Sequence, residues 1–233
     1  MAERLRSIIQ YLYSHIRAYP CSLGYVPTIG GKPSVIIPRI QIPVNIVIIH
    51  DDRRPEEERL LCEHELSRQG ICARGFWPAN YIGETVEAAI NKSHRQVVEF
   101  ATNMGWEEVC IMESDVLFPA RDGWKWFLKN MPPKGKYDLF LAGTYGEILY
   151  SEILGYFYTA IPCGFHCYII DSRYYDTFLA TPADQHIDSA QRGGVYRLCY
   201  PFAAIQRRGW SANHKSIQDY NVNLKPADVY GWI

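Results

Sequence analysis

The run Val44-Asn45-Ile46-Val47-Ile48-Ile49 constrains the fold more than any other stretch of the chain. It is nearly continuous, apolar and β-branched. That is the pattern of a strand buried on both faces, and so of a parallel sheet covered by helices. The run stops at His50-Asp51-Asp52-Arg53-Arg54. Pro55 and then Glu56, Glu57 and Glu58 read as a helix start, with proline in the first turn and acids complementing the helix dipole.

The same hand-over recurs downstream. The first helix runs to about Gln69, with Gly70 as its stop. Residues 71–77 read as a second strand, and a second helix spans about 84–104. Val86, Ile90, His94, Val97, Val98 and Ala101 fall near one stripe of that helix. A third strand over 108–112 ends abruptly in Glu113-Ser114-Asp115. A short helix over 124–128, a strand over 138–142, a strand over 166–170, a helix over 172–179 and a strand over 195–200 follow. Residues 144–160 form a long aromatic loop. Alternating strands and helices imply an α/β fold, with a mixed, mostly parallel, Rossmann-like sheet flanked by helices.

The N-terminal part reads differently. Leu5, Ile8, Ile9, Leu12 and Ile16 recur at helical spacing over 3–18. Residues 20–43 then hold five prolines and three glycines, the composition of an extended arm. The chain therefore divides into a helix and arm over 1–43 and a main domain over 44–233. The helix suits packing on the main domain or on a second copy in a homo-oligomer. Peripheral membrane association is the lesser reading, since only Arg4, Arg6 and Arg17 support it.

Composition narrows the partners. Twenty-four Lys and Arg against 25 Asp and Glu leave a net charge of -1, which argues against a nucleic-acid binder. Seven cysteines, an odd number scattered through apolar runs, do not make a secreted disulfide framework. They point to a reducing, cytoplasmic setting. The N-terminal residues lack a signal peptide's apolar core, and no stretch reaches the ~18 apolar residues of a membrane span. Cys163-Gly-Phe-His166-Cys167 has no second ligand pair at similar spacing to complete a zinc site. Asn91-Lys92-Ser93 matches a glycosylation sequon, read here as chance within a helix.

Ligands of open α/β sheets bind beyond the carboxyl ends of the strands. Two such ends are acidic here, His50-Asp51-Asp52 and Glu113-Ser114-Asp115. Carboxylates two residues apart at a strand end can reach one hard cation, Mg²⁺ or Mn²⁺, leaving room for phosphate and water. A solvated turn or a helix cap explains the same triplet equally well. Glycine is absent from 45–69, so no dinucleotide fingerprint follows the first strand. Gly30-Gly31-Lys32-Pro33 lacks the Ser/Thr of a phosphate loop, and no Gly-x-Ser-x-Gly elbow occurs.

Four blocks, in order, resemble glycosyltransferase family 25, the lipopolysaccharide and collagen sugar-transferase group. They are Val47-Ile48-Ile49-His50-Asp51-Asp52-Arg53-Arg54-Pro55, Ser93-His94, Cys110-Ile111-Met112-Glu113-Ser114-Asp115-Val116, and Gly164-Phe165-His166-Cys167-Tyr168-Ile169-Ile170 with Pro182-Ala183-Asp184. Ser114 stands where the family has a middle Asp, and Ala89-Ile90 where it has Gly-Cys. The resemblance implies a GT-A-like fold and an inverting hexosyltransferase that moves a sugar from a nucleotide-sugar, UDP-linked, to a glycan or other hydroxyl acceptor.

That resemblance also assigns roles. Asp115 and Glu113 hold Mn²⁺ or Mg²⁺ against the donor diphosphate; His214 on the late loop or His166 could add a third ligand, and His214 is preferred because a His in a strand is more often a hydrogen-bonded core residue. Asp52, Arg53, Ser93, His94 and Glu113 line the nucleotide-sugar side. Asp184 is the general base, with Asp188 as its substitute; as a helix N-cap Asp184 has an equally good bland reading. Beyond the resemblance, Arg207, Arg208 and Lys215 either approach the diphosphate or form a solvated charge cluster, and the 144–160 loop either supplies an acceptor platform or simply packs. The rival readings are a degenerate module that binds nucleotide-sugar without turnover, a metal-dependent nucleotidyltransferase or phosphohydrolase, and an interaction protein.

Overall fold

A computed structural model describes residues 44–232, apart from 52, 80–84, 147–156, 160–162, 192, 212 and 213. The expected N-terminal helix and arm lie outside the described residues. Strand β1 is Asn45–His50, and helix α1, Glu56–Gln69, starts directly after Pro55 with the three glutamates in its first turn. β2 is Gly75–Pro78 and α2 is Val86–Asn103, capped by Thr85, whose hydroxyl accepts from the Ala88 N–H at 3.3 Å. β3 is Glu108–Glu113 and β4 is Val116–Leu117. Then come α3, Gly123–Lys129, β5, Leu139–Leu141, β6, Phe157–Thr159, and β7, Cys167–Asp171. A 3-10 turn leads into α4, Tyr175–Ala180, and α5, Ile187–Ala190. The remaining strands are β8, Tyr196–Cys199, β9, Ile205–Gln206, β10, Gly209–Ser211, and β11, Ser216–Gln218.

The main sheet has seven strands in the order β2-β1-β3-β7-β5-β8-β6. β2 and β3 run parallel to β1, and β8 runs parallel to β5. β7 opposes both β3 and β5, and β6 opposes β8, so five strands share one direction. The expected α/β class and mixed, mostly parallel sheet are therefore present. Two two-stranded pieces, β4-β9 and β10-β11, lie beyond that sheet.

Side chains alternate across each strand, so odd and even positions build separate layers. Val47, Ile49, Val109, Ile111, Tyr168 and Ile170 face α2, through Val97, Val98 and Ala101, and α4, through Phe178. Ile46, Ile48, Cys110, Met112, Cys167 and Ile169 face α1 and α3, through Cys62, Leu66, Trp124 and Phe127. Both faces are covered, which is why the strands read as unbroken apolar runs.

Two polar side chains of α1 fix the segment after β4. The Glu65 carboxylate, 4% exposed, accepts from the Phe118 N–H at 2.9 Å and from Arg68 at 2.6 and 3.0 Å, and Arg68 also donates to the Phe118 carbonyl. Gln69 accepts from the Trp124 N–H at 3.0 Å and donates to the Ala120 carbonyl at 2.7 Å.

In the same layer, the Ala142 carbonyl accepts from the N–H groups of Ala203 and Ala204 at 2.7 and 3.2 Å. A Cβ on Gly143 would sit 2.2 Å from the Ala204 carbonyl oxygen, a backbone atom that cannot swing aside. Gly143→Ala should therefore lower stability by about 2–3 kcal/mol through overpacking. Urea denaturation checks this; an unchanged midpoint would show that the two segments separate freely.

Candidate active site

A cavity of about 500 Å³ opens where β1 and β3 end. Ile49, Asp51 and Arg54 line it from the β1 side, and Ile90, Ser93 and His94 from α2. Glu113, Ser114 and Asp115 line it from the end of β3, Cys163, Gly164 and Phe165 from the approach to β7, and His186, Ile187 and Asp188 from the start of α5. Tyr145, Gln206, Arg207, Trp210, Ser211, His214 and Tyr220 close the remaining side. The placement follows the rule for open α/β sheets.

Glu113 and Asp115 carry most of its chemistry. His94 Nε2 lies 3.3 Å from Glu113 Oε1, and its Nδ1 lies 2.9 Å from the Tyr168 hydroxyl. Histidine and tyrosine are both fully buried. Burial pushes the Glu113 carboxyl up, but the hydrogen bond and charge of His94 outweigh it and hold Glu113 below its ordinary range. Asp115 goes the other way. Burial, and next the Glu113 charge, push it up to about 7, against the Gln206 hydrogen bond and the Arg54 and Arg207 charges. Its Oδ2 accepts from Gln206 Nε2 at 2.7 Å, while its Oδ1 is covered and has no hydrogen-bond partner.

The backbone around Asp115 is equally constrained. Its carbonyl accepts from the Arg207 N–H at 2.7 Å, and β4 pairs with β9 through Val116 and Gln206. Ser114 ties the two acidic strand ends together: its N–H donates to the Ile49 carbonyl at 3.0 Å, and its hydroxyl lies 3.0 Å from His50 Nδ1.

Asp188 is the third acid of the cavity. Both its oxygens accept from the Gly164 N–H at 3.2 Å, and His186 Nδ1 lies 3.6 Å from Oδ2. Burial raises the Asp188 carboxyl, and Glu113 adds to this; His186 and the Gly164 N–H offset only part of it. Gly164 has φ +81°, and a Cβ there would fall 2.6 Å from the Tyr145 ring, so glycine alone presents this N–H unstrained. The preceding turn is locked to α2. Asn91, fully buried, donates to the Pro182 and Gln185 carbonyls at 2.9 and 3.0 Å. Arg95 donates to the carbonyls of Phe178, Leu179 and Thr181. The sequon asparagine is thus a structural clamp.

Several expectations move. Asp184 is exposed in that turn and outside the cavity lining, and His186, not Asp184, caps α5. The acid that the fold delivers to the cavity is Asp188, because α5 begins two residues later than its sequence suggests. Arg53 is 63% exposed and closes on Asp51 at 2.9 Å, leaving Arg54 to line the cavity. Asp52 lies outside the described residues. The Ser93 hydroxyl donates to the Ala89 carbonyl at 2.9 Å, so it serves its own helix.

His214 reaches the rim but sits exposed after β10, its ring 6.2 Å from that of Tyr220. Among the described residues no three His, Cys, Asp or Glu side chains converge on a metal, so His214 does not join Glu113 and Asp115 as a ligand set. His166 is buried against the Ala204 carbonyl at 3.2 Å, and burial lowers its pKa, as in a neutral core histidine. Arg208 and Lys215 are exposed and stand outside the lining, whereas Arg207 is inside it. Burial and Asp188 push the Cys163 thiol up to about 11, which rules it out as a resting thiolate nucleophile. Gln206, Arg54, Trp210 and Tyr220 were given no role from the sequence. Gln206 had no signal, since its contact with Asp115 spans 91 residues.

No protein-family model and no curated protein sequence matches the chain. Solved structures similar to it include a glycosyltransferase involved in the glycosylation of the major capsid of PBCV-1, at 14% identity and TM-score 0.38, covering 58% of this chain and 64% of that one. A protein from STIV matches at 14% identity and TM-score 0.44, over 78% and 98% of the two chains. A mutant Drosophila galactosyltransferase in complex with manganese, UDP-Gal and xylobiose matches at 14% identity and TM-score 0.34, over 57% and 51%. The chain thus spans less than two thirds of either glycosyltransferase. No described helix is long and apolar enough to cross a membrane.

Proposed function

We propose that the chain is an inverting glycosyltransferase that moves a sugar from a nucleotide-sugar, UDP-linked, to a hydroxyl acceptor. The observation that carries this reading is the carboxylate pair at the end of β3, with two guanidiniums and a separate, raised carboxylate around the same cavity. Arg54 and Arg207 would face the donor diphosphate. Asp188 would take the acceptor's proton as its oxygen bonds to the anomeric carbon, on the face opposite the leaving phosphate oxygen. The bond between the anomeric carbon and that phosphate oxygen breaks, and the nucleoside diphosphate departs with the bonding electrons. A raised carboxylate is the better base for this task.

The residues present fit a divalent cation in kind. Glu113 and Asp115 offer hard oxygens, and the covered, unpartnered Asp115 Oδ1 is an acceptor still to be satisfied. Mn²⁺ or Mg²⁺ held there, with phosphate and water completing the shell, would offset charge on the leaving diphosphate. His94 would keep Glu113 ionised and oriented toward that position.

The test is product analysis with a panel of nucleotide-sugars. Release of nucleoside diphosphate that needs added Mn²⁺ or Mg²⁺ and stops with chelator is the expected result. Release of pyrophosphate or inorganic phosphate would favour a nucleotidyltransferase or phosphohydrolase. Binding without any release would favour the degenerate module.

A further inference from the structure

The wall of the cavity beyond Asp115 is aromatic. β9 ends in Gln206, which holds Asp115, and β10 begins three residues later at Gly209. Trp210 stands in β10, paired across to Ile217 of β11. It lines the cavity, yet 51% of it is exposed. Aromatic contacts run inward from this edge: Tyr220 lies 6.2 Å from His214 and 5.5 Å from Tyr145, and Tyr145 lies 5.3 Å from His166. Tyr145 is fixed by its hydroxyl, which accepts from the Gln206 N–H, and Tyr220 by its hydroxyl, 3.1 Å from Ser211 Oγ. The inner rings are thereby held in place, while Trp210 keeps a large apolar surface in water at the mouth. That surface loses its hydration cost only when something flat and apolar covers it.

We propose that Trp210 is the floor of the acceptor subsite and that its occupant is a pyranose ring. This rests on the glycosyl-transfer reading above. A pyranose presents a C–H face to the indole and turns its hydroxyls outward, toward side chains that both donate and accept. Ser211, His214 and Asp188 line the same cavity. A nucleobase is the other flat ligand of such a protein. Its place is at the mouth of β1, beside Arg54, where the strand ends and α1 begins. The diphosphate would then lie at Arg54, Arg207 and Asp115, leaving Asp188 and Trp210, which line the same cavity, for the acceptor.

The experiment titrates methyl glucoside, galactoside, xyloside and mannoside by calorimetry into the full chain and into Trp210→Ala and Trp210→Phe. Separate titrations use UDP with Mn²⁺. The expected result is that at least one glycoside binds the parent, about tenfold more weakly to the alanine variant and with intermediate affinity to the phenylalanine variant, while UDP affinity stays within about twofold. Equal glycoside binding by parent and alanine variant, or no glycoside binding to the parent, overturns the subsite. A tenfold loss of UDP affinity with the glycosides unaffected would place a base on the indole and overturn it too. Glycoside binding that depends on Trp210 in a chain that binds no nucleotide would instead sink the donor reading and leave the subsite standing. Trp210 is exposed on a two-stranded hairpin, and an unchanged melting temperature in both variants confirms that folding is not what the titrations read.

Discussion

Asp188→Asn is expected to lower the rate of transfer by about 10²–10⁴-fold, the usual worth of a positioned general base. The amide keeps the shape of the carboxylate and can still accept from the Gly164 N–H, so the site should keep its geometry. It cannot take a proton. Nucleotide-sugar affinity should therefore stay within about threefold, which separates a lost chemical step from lost binding. Asp184→Asn is the control and should turn over like the parent, because Asp184 is exposed and outside the cavity. Single-turnover kinetics with saturating donor is the measurement. Normal turnover by Asp188→Asn together with loss in Asp184→Asn would return the base to the turn and require that turn to fold inward on binding.

Asp115→Asn should do two opposite things. Donor turnover should fall by at least about 10²-fold, since the cation proposed to offset charge on the leaving diphosphate would lose one of its two carboxylates. Heat stability in chelator should rise. The sign follows from the direction of the shift. Burial and Glu113 push Asp115 up to about 7, above its unfolded value of 3.8, so its ionised form is costlier in the folded chain. That cost is absent below about 3.8, accumulates as pH rises from there to about 7, and is complete above it. The asparagine variant should therefore gain most at pH 8, by about 3 °C or more for a chain of this size, and clearly less at pH 5. Melting curves at both values decide it. A lower melting temperature at pH 8 would mean that Asp115 Oδ1 is satisfied in solution, against its lack of a hydrogen-bond partner in the structure. An activity loss with no gain in stability would mean that the acid pair contributes to function without being strained.

Much of the frame was legible in the chain. The runs at 44–49 and 108–112 announce strands because both faces of the sheet are covered, and burial on both faces leaves no polar alternation to confuse the reading. Glu113 and Asp115 were legible as well, since they follow such a run directly. The short strands β9, β10 and β11 were not: two or three residues carry no period. The direction of β7 was also hidden, because an apolar run looks the same whether it runs with its neighbours or against them. Which of Asp184 and Asp188 lines the cavity was hidden for a similar reason. Both sit near one helix start, and a difference of one turn decides which of them faces the cavity.

The sequence alone determined that this chain builds a covered α/β sheet with acids at two strand ends, because hydrophobic periodicity and helix-start chemistry are local properties. Only the tertiary structure decided which polar groups meet. Gln206 reaches Asp115, Gly164 reaches Asp188, His94 reaches Glu113, and Trp210 stands at the mouth. Those contacts join residues 19 to 91 positions apart. What sets them is the packing of helices on the two faces of the sheet, and no short window of sequence contains that information.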